Sequence, residues 1–223
     1  MKQNFTELVF ILDRSGSMSG LEGDTIGGFN GMLERQKKEP GEAVVTTVLF
    51  DDQYELLHDR IPLQAVRPMT DRQYFVRGCT ALLDAIGRTV NKVANVHRGM
   101  AEEYRPERVM FVIITDGFEN ASREYNWDKV KSMVEHYKAK YHWEFLFLGA
   151  NLDAIGTAAR FGISADRAVQ YHSDHIGTQV NYQAVSQAVS DFREGQLAPS
   201  GTSQGRAWKR RIEADFQSRK KGQ

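Results

Sequence analysis

Four short apolar runs constrain the fold of this chain more than any other feature. They are Leu8-Val9-Phe10-Ile11-Leu12, Val44-Val45-Thr46-Thr47-Val48-Leu49-Phe50, Val109-Met110-Phe111-Val112-Ile113-Ile114 and Phe145-Leu146-Phe147-Leu148. Each is rich in β-branched and aromatic residues and nearly continuous, where a half-exposed strand would alternate. Strands read this way when both faces of their sheet are covered, as in parallel sheets flanked by helices. Helical spacing fills the intervals. Residues 24–37 place Ile26, Phe29, Met32 and Leu33 on one face, and 81–96 do the same with Leu82, Leu83, Ile86, Val90, Val93 and Val96. Residues 127–138 and 175–192 repeat the pattern, around Trp127, Val130 and Val134 and around Val180, Val185 and Val189.

Strands alternating with helices predict a Rossmann-like α/β fold, a doubly wound, mostly parallel sheet with helices on both faces. Residues 53–61 follow the turn signal Asp51-Asp52 and are more polar, so they are expected to form an antiparallel edge strand. A short strand at Ala168-Val169-Gln170 closes the other edge, giving six strands. A chain of 223 residues with 41% apolar content suits one such domain, expected over residues 5–195. Beyond it, Leu197 to Gly205 reads as a flexible linker. Arg206, Lys209, Arg210, Arg211, Arg219, Lys220 and Lys221 then face only Glu213 and Asp215. Residues 196–223 are therefore expected to be a flexible basic tail.

Twenty-nine basic and 29 acidic residues cancel, so bulk charge gives no reason to expect nucleic acid or an anionic membrane as partner. An RNA contact through residues 206–221 is the weakest of the readings kept. Cys79 is the single cysteine, which excludes an internal disulfide and favours a reducing compartment. The first apolar run meets Asp13 too soon for a signal peptide, and no stretch approaches the roughly 20 apolar residues of a membrane helix. The expectation is a cytoplasmic protein without membrane contact.

Chemistry concentrates where the strands end. The first run passes directly into Asp13-Arg14-Ser15-Gly16-Ser17, and the third into Thr115-Asp116-Gly117. In open α/β sheets, ligands gather beyond the carboxyl ends of the strands, at the point where strand order reverses. Were these two strands neighbours there, Asp13 and Asp116 would emerge about 4.8 Å apart. Carboxylates that close repel unless a cation or a shared proton intervenes. Thr80, just before the helix that starts at Ala81, is placed to face the same crevice. Two carboxylates and three hydroxyls from Ser15, Ser17 and Thr80 are all hard oxygens, with neither His nor Cys among them. That set favours Mg²⁺, with Mn²⁺ or Ca²⁺ as substitutes, over zinc or copper. Few carboxylates leave a dication under-neutralised and seeking another anionic oxygen. Gly16 and Gly117 read as positions of close approach or positive φ. Taken singly each motif has a plainer reading, as a serine turn, a threonine helix cap or an Asp-Gly turn.

Together, Asp13-x-Ser15-Gly16-Ser17, Thr80 and Thr115-Asp116-Gly117 resemble the metal-ion-dependent adhesion site of von Willebrand factor type A domains, over roughly residues 5–195. The resemblance implies that Ser15 and Ser17 ligate the metal directly and that Asp13 and Asp116 do so directly or through water. Thr80 would join or leave with conformational state, and Arg14 would hold the variable position, facing a partner or solvent. It further implies a protein-binding module whose metal captures an Asp or Glu of a partner. Stand-alone bacterial relatives work inside the cell beside ATPases, chelatases or stress-response proteins, and the chain is expected to be of that kind rather than an enzyme.

The rival class is a metal-assisted hydrolase or phosphoryl-transfer enzyme using the same ion. Its general base would have to be Glu22, Asp24 or Glu119, none at a recognisable spacing. Ser15 stands where an aspartyl phosphatase needs its second carboxylate. No Gly-x-x-x-x-Gly-Lys-Ser/Thr loop exists, and Met18 occupies the nucleophile position of Gly16-Ser17-Met18-Ser19-Gly20. His172 and His175 read as surface residues, Cys79 as a small packed residue, and Glu22, Glu119 and Asn120 as the rim of the crevice.

Overall fold

A computed structural model describes residues 1–150 and 153–220. The elements in chain order are β1 (Lys2–Asp13), α1 (Glu22–Gln36), β2 (Glu42–Phe50), β3 (Tyr54–Pro62), α2 (Leu82–Gly99), β4 (Pro106–Thr115), α3 (Trp127–Tyr141), β5 (Glu144–Ala150), α4 (Ala154–Arg160), β6 (Ala168–Tyr171), α5 (His175–Arg193) and α6 (Arg210–Lys220). The six strands form one sheet in the order β3-β2-β1-β4-β5-β6. Only β2 and β3 pair antiparallel; the other neighbours run parallel. The fold class and the antiparallel edge are as the patterning implied.

The continuity of the apolar runs has a direct cause. Successive strand residues point to opposite faces. In β1, Leu8, Phe10 and Leu12 join the core under α1, α5 and α6, while Val9 and Ile11 join the core under α2, α3 and α4. β4 divides likewise, with Met110, Val112 and Ile114 on the first side and Phe111 and Ile113 on the second. Every residue of such a strand is buried, so no polar alternation survives.

Strand order reverses between β1 and β4. From β1 the chain winds outward through β2 and β3, then returns to lay β4 on the other side of β1. Leu12 pairs with Ile114, so Asp13 and the residues after Ile114 leave the sheet together at its carboxyl edge.

The segment expected to be a flexible tail packs onto the domain instead. Trp208 is buried and its indole N–H donates to the Asp166 carbonyl at 2.8 Å, while Ile212 joins the core beneath α5. The Arg167 guanidinium reaches into the segment, donating to the carbonyls of Gly205 (2.7 Å) and Ala198 (2.6 Å). Lys209, counted as tail charge, is fully buried and donates to the carbonyls of Ala165 and Ala168, both at 2.7 Å. β6 is an edge strand, and α6 and the turn around Trp208 cover its flank on one face of the sheet. Counting charges masked the two apolar residues that fix this packing. Lys221, part of the same expectation, lies outside the described residues.

Candidate metal centre

Asp13 is the last residue of β1 and Asp116 follows the last residue of β4, and both are buried. Between them, the five residues singled out in the sequence form one continuous hydrogen-bonded chain. Thr80 Oγ1 donates to Ser15 Oγ at 3.0 Å, Ser15 Oγ and Ser17 Oγ lie 3.1 Å apart, and Ser17 Oγ donates to Asp116 Oδ1. Asp13 is anchored from both sides, its Oδ1 accepting the Ser15 backbone N–H at 2.7 Å and its Oδ2 the Thr115 hydroxyl at 2.5 Å.

Ser15 and Ser17 do lie in a turn, but neither they nor Thr80 cap a helix. Thr80 precedes the first turn of α2 but sends its side chain to Ser15. Ser15 opens a short 3₁₀ turn, Gly16–Met18, without a side-chain capping bond, and Leu21 stands at the N-cap of α1. The donors at the start of α2 are satisfied from elsewhere. Glu119 accepts from the Leu83 N–H at 2.8 Å and Ser122 Oγ from the Asp84 N–H at 3.0 Å. In return Asp84 accepts the backbone N–H groups of Arg123, Glu124 and Tyr125, each at 2.9 Å. Asn120 Oδ1 accepts from the Thr80 N–H at 2.9 Å. Glu119 and Asn120 thus tie the loop after Asp116 to Thr80 and α2.

Gly117 explains itself by space. A Cβ on it would stand 2.6 Å from Thr80 Oγ1, 3.0 Å from Ser17 Oγ and 3.5 Å from Ser15 Oγ. Three hydroxyl oxygens therefore converge on a point that only glycine leaves open, and its φ is not in the left-handed range. Gly16 meets neither expectation, since its Cβ would make only ordinary contact with the Gly78 carbonyl at 3.5 Å.

The electrostatics also ask for a cation. Burial pushes the Asp13 carboxyl up to about 6, against hydrogen bonds from Ser15 and Thr115, and the neighbouring Asp116 adds to the rise. Burial likewise raises Asp116, against hydrogen bonds from Ser17 and Ser173. No ion pair reaches either carboxylate among the described residues. Arg14, expected to face a partner or solvent, is fully buried and turned away from both. Its Nε donates to Asp51 at 2.9 Å, and its Nη1 lies 2.7 Å from Glu55. Two buried carboxylates without a cation, beside three converging hydroxyls, fit a small hard dication. Gly117→Ala is expected to weaken divalent-metal binding at least about tenfold with an unchanged far-UV circular dichroism spectrum, as read by titration calorimetry.

Three contributors were not foreseen. Ser173, on the turn between β6 and α5, donates to Asp116 Oδ2 at 2.9 Å. Thr115 holds Asp13, and Tyr74 donates to the Asp13 carbonyl at 2.5 Å. Thr115 was legible, as a hydroxyl between a buried strand and an acid; the other two come from distant loops without a local signal. His172 and His175 diverge, the first stacking on Phe216 with ring centroids 4.5 Å apart and the second pairing with Asp24. Cys79, expected to be packed, is exposed.

No family model matches the sequence, and no curated protein matches it. Solved structures do. Proximal thread matrix protein 1 of the mussel byssus, in a structure described as having a zinc-occupied MIDAS motif, aligns with a TM-score of 0.57 at 14% identity, covering 83% of this chain and 46% of that one. A von Willebrand factor type A protein from Catenulispora acidiphila aligns with a TM-score of 0.53 at 11% identity, covering 83% and 42%. The minor pilin PilB of Streptococcus sanguinis gives 0.57 at 10%, covering 89% and 64%. The chain thus spans between 42% and 64% of the length of these three structures. Together with the strand order, these likenesses define the class: a von Willebrand factor type A-like α/β fold.

Proposed function

We propose that this chain is a divalent-metal-dependent protein-binding module. Asp13, Ser15, Ser17, Thr80 and Asp116 would hold one ion, and the ion would capture an Asp or Glu side chain of a protein partner. The observation that carries this reading is the convergence of three hydroxyls on the space in front of Gly117, beside two buried carboxylates with no ion pair among the described residues. The all-oxygen donor set favours Mg²⁺, with Mn²⁺ or Ca²⁺ as substitutes. A metal-occupied motif in the mussel protein supports metal binding in this fold.

The surroundings support docking over catalysis. Large apolar side chains lie exposed on loops and a helix start near the site, with Phe118 64%, Ile176 51% and Phe75 43% accessible. The candidate general bases are occupied. Glu119 accepts from Leu83, Ala121 and Ser122, Asp24 pairs with His175, and Glu22 accepts from the Gly20 N–H. We place the module in the cytoplasm, where an exposed thiol such as Cys79 stays reduced, and its partner among ATPases or stress-response proteins presenting an acidic loop. Among the described residues no helix is long and apolar enough to cross a membrane.

The test is capture of partners from source lysate on the immobilised protein, with Mg²⁺ or with chelator, beside an Asp116→Ala control. A protein retained only with Mg²⁺ and only by the wild type is the expected result. Retention indifferent to chelator, or steady hydrolysis of a phosphate ester lost in Asp116→Ala, would overturn the reading.

Metal stabilisation should depend on pH in a defined direction. The Asp13 carboxyl stands at about 6 in the folded protein against 3.8 in the unfolded chain. Its protonation stabilises the metal-free fold fully below 3.8, and that contribution is lost as pH rises through about 6. A bound metal must displace this proton, so the rise in melting temperature with saturating Mg²⁺ is expected to be larger at pH 7.5 than at pH 5. Differential scanning fluorimetry at the two pH values measures it, and an equal rise would place the ion elsewhere.

A further inference from the structure

Helix α1 carries four glycines, Gly23, Gly27, Gly28 and Gly31, in 15 residues. Glycine inside a helix costs up to about 1 kcal/mol relative to alanine, so each position calls for a reason. Gly28 has one, because a Cβ there would stand 2.3 Å from the Tyr182 ring of α5. Gly23, Gly27 and Gly31 have none within the protein. A Cβ on any of them meets nothing within 4 Å, and none has a positive φ. They recur every four residues, so they form one bare strip along the helix.

That strip lines one side of a groove of about 380 Å³ between α1 and α5. The α5 side presents Gln179 and Gln183, one turn apart, both exposed and neither hydrogen-bonded among the described residues. Ser186 lines the same groove, is 3% exposed, and its Oγ has no hydrogen-bond partner in the structure. Asp24 and His175, paired with each other, stand in the groove wall where both helices begin, and Arg35, which has no carboxylate partner among the described residues, stands near the end of α1.

We infer that this groove binds an extended segment of a partner polypeptide. A wall without side chains along α1 admits a backbone at close range. Glutamine amides both donate to and accept from peptide groups, and their one-turn spacing of about 6 Å approximates the two-residue repeat of an extended chain, about 6.7 Å. Met32 and Tyr182 also line the groove, but both are buried, so they offer little accessible apolar surface to the anchors of a docked amphipathic helix. Arg35 favours an acidic residue in the bound segment at that end. The inference does not depend on the metal site.

Two measurements test it. The first needs no ligand: the triple variant Gly23→Ala/Gly27→Ala/Gly31→Ala should melt about 5 °C above the wild type, because the added methyls enter open space and raise helix propensity. A lower melting temperature would mean that the glycines serve the fold, and would overturn the inference. The second selects a displayed library of random linear dodecapeptides on the wild type in chelator. Enriched peptides should lose at least tenfold in affinity for the triple variant and several-fold for Gln183→Ala, yet bind Asp13→Asn as they bind the wild type. No enrichment, equal binding to the triple variant, or enrichment of helix-forming amphipathic sequences alone would refute an extended-peptide site.

Discussion

Asp13→Asn is expected to weaken divalent-metal binding by at least about 100-fold and, at pH 7.5, to raise the melting temperature of the metal-free protein. The two effects have one origin. The Asp13 carboxylate is buried without a cation, and burial lifts its carboxyl to about 6, so at neutral pH its charge opposes folding. An asparagine of the same shape removes the charge. Its carbonyl still accepts the Ser15 N–H, and the Thr115 hydroxyl can turn to accept from its amide. A metal then loses an anionic oxygen that no neighbour replaces. Titration calorimetry with Mg²⁺ and a thermal melt in chelator read the two effects separately. Unchanged metal affinity would refute the ligand assignment, and a lower metal-free melting temperature would refute the electrostatic account.

The second large effect falls on the neighbouring residue. Arg14→Ala is expected to destabilise the protein by about 3 kcal/mol, the low end for breaking a buried ion pair. Asp51, itself fully buried, would keep the Gln53 N–H at 2.6 Å and, as its one cation among the described residues, Arg77 at 2.7 Å, whose side chain is 37% exposed. Arg14 also holds Glu55 at 2.7 Å and the Gln73 carbonyl at 3.3 Å, so β3 and the loop before Thr80 loosen together. Urea unfolding monitored by circular dichroism measures the loss. Arg14→Met with Asp51→Leu should cost less than Arg14→Ala alone, because no buried charge is left uncompensated and the partners that lose a pair, Glu55 and Arg77, reach solvent. A cost below about 1 kcal/mol for Arg14→Ala would mean that water reaches Asp51.

These residues also show what the sequence makes legible. Asp13 and Asp116 were readable because each follows a buried strand, and strand ends in such a sheet have one destination. Ser15, Ser17 and Thr80 were readable through their order and spacing. Arg14 was misread because position alone does not tell whether a charge faces solvent; its partners Asp51 and Glu55 lie on another strand and its turn. Ser173 and Tyr74 reach the site through tertiary packing, which has no period to detect. The C-terminal segment was misjudged for a related reason. Its composition is that of a linker and tail, yet Trp208 and Ile212 suffice to seat it against the core.

The cross-ties between α2 and the loop after Asp116 hold one side of the site together. Asp84, Glu119, Asn120 and Ser122 bolt Thr80 and Asp116 into a single fixed jaw. The opposite jaw is the turn of residues 172–174, joined to Asp116 through Ser173 and steadied from behind by Arg219 on Asp174. In the proposed function, α6 would act on the site through that turn, at a distance from any atom that touches the ligand.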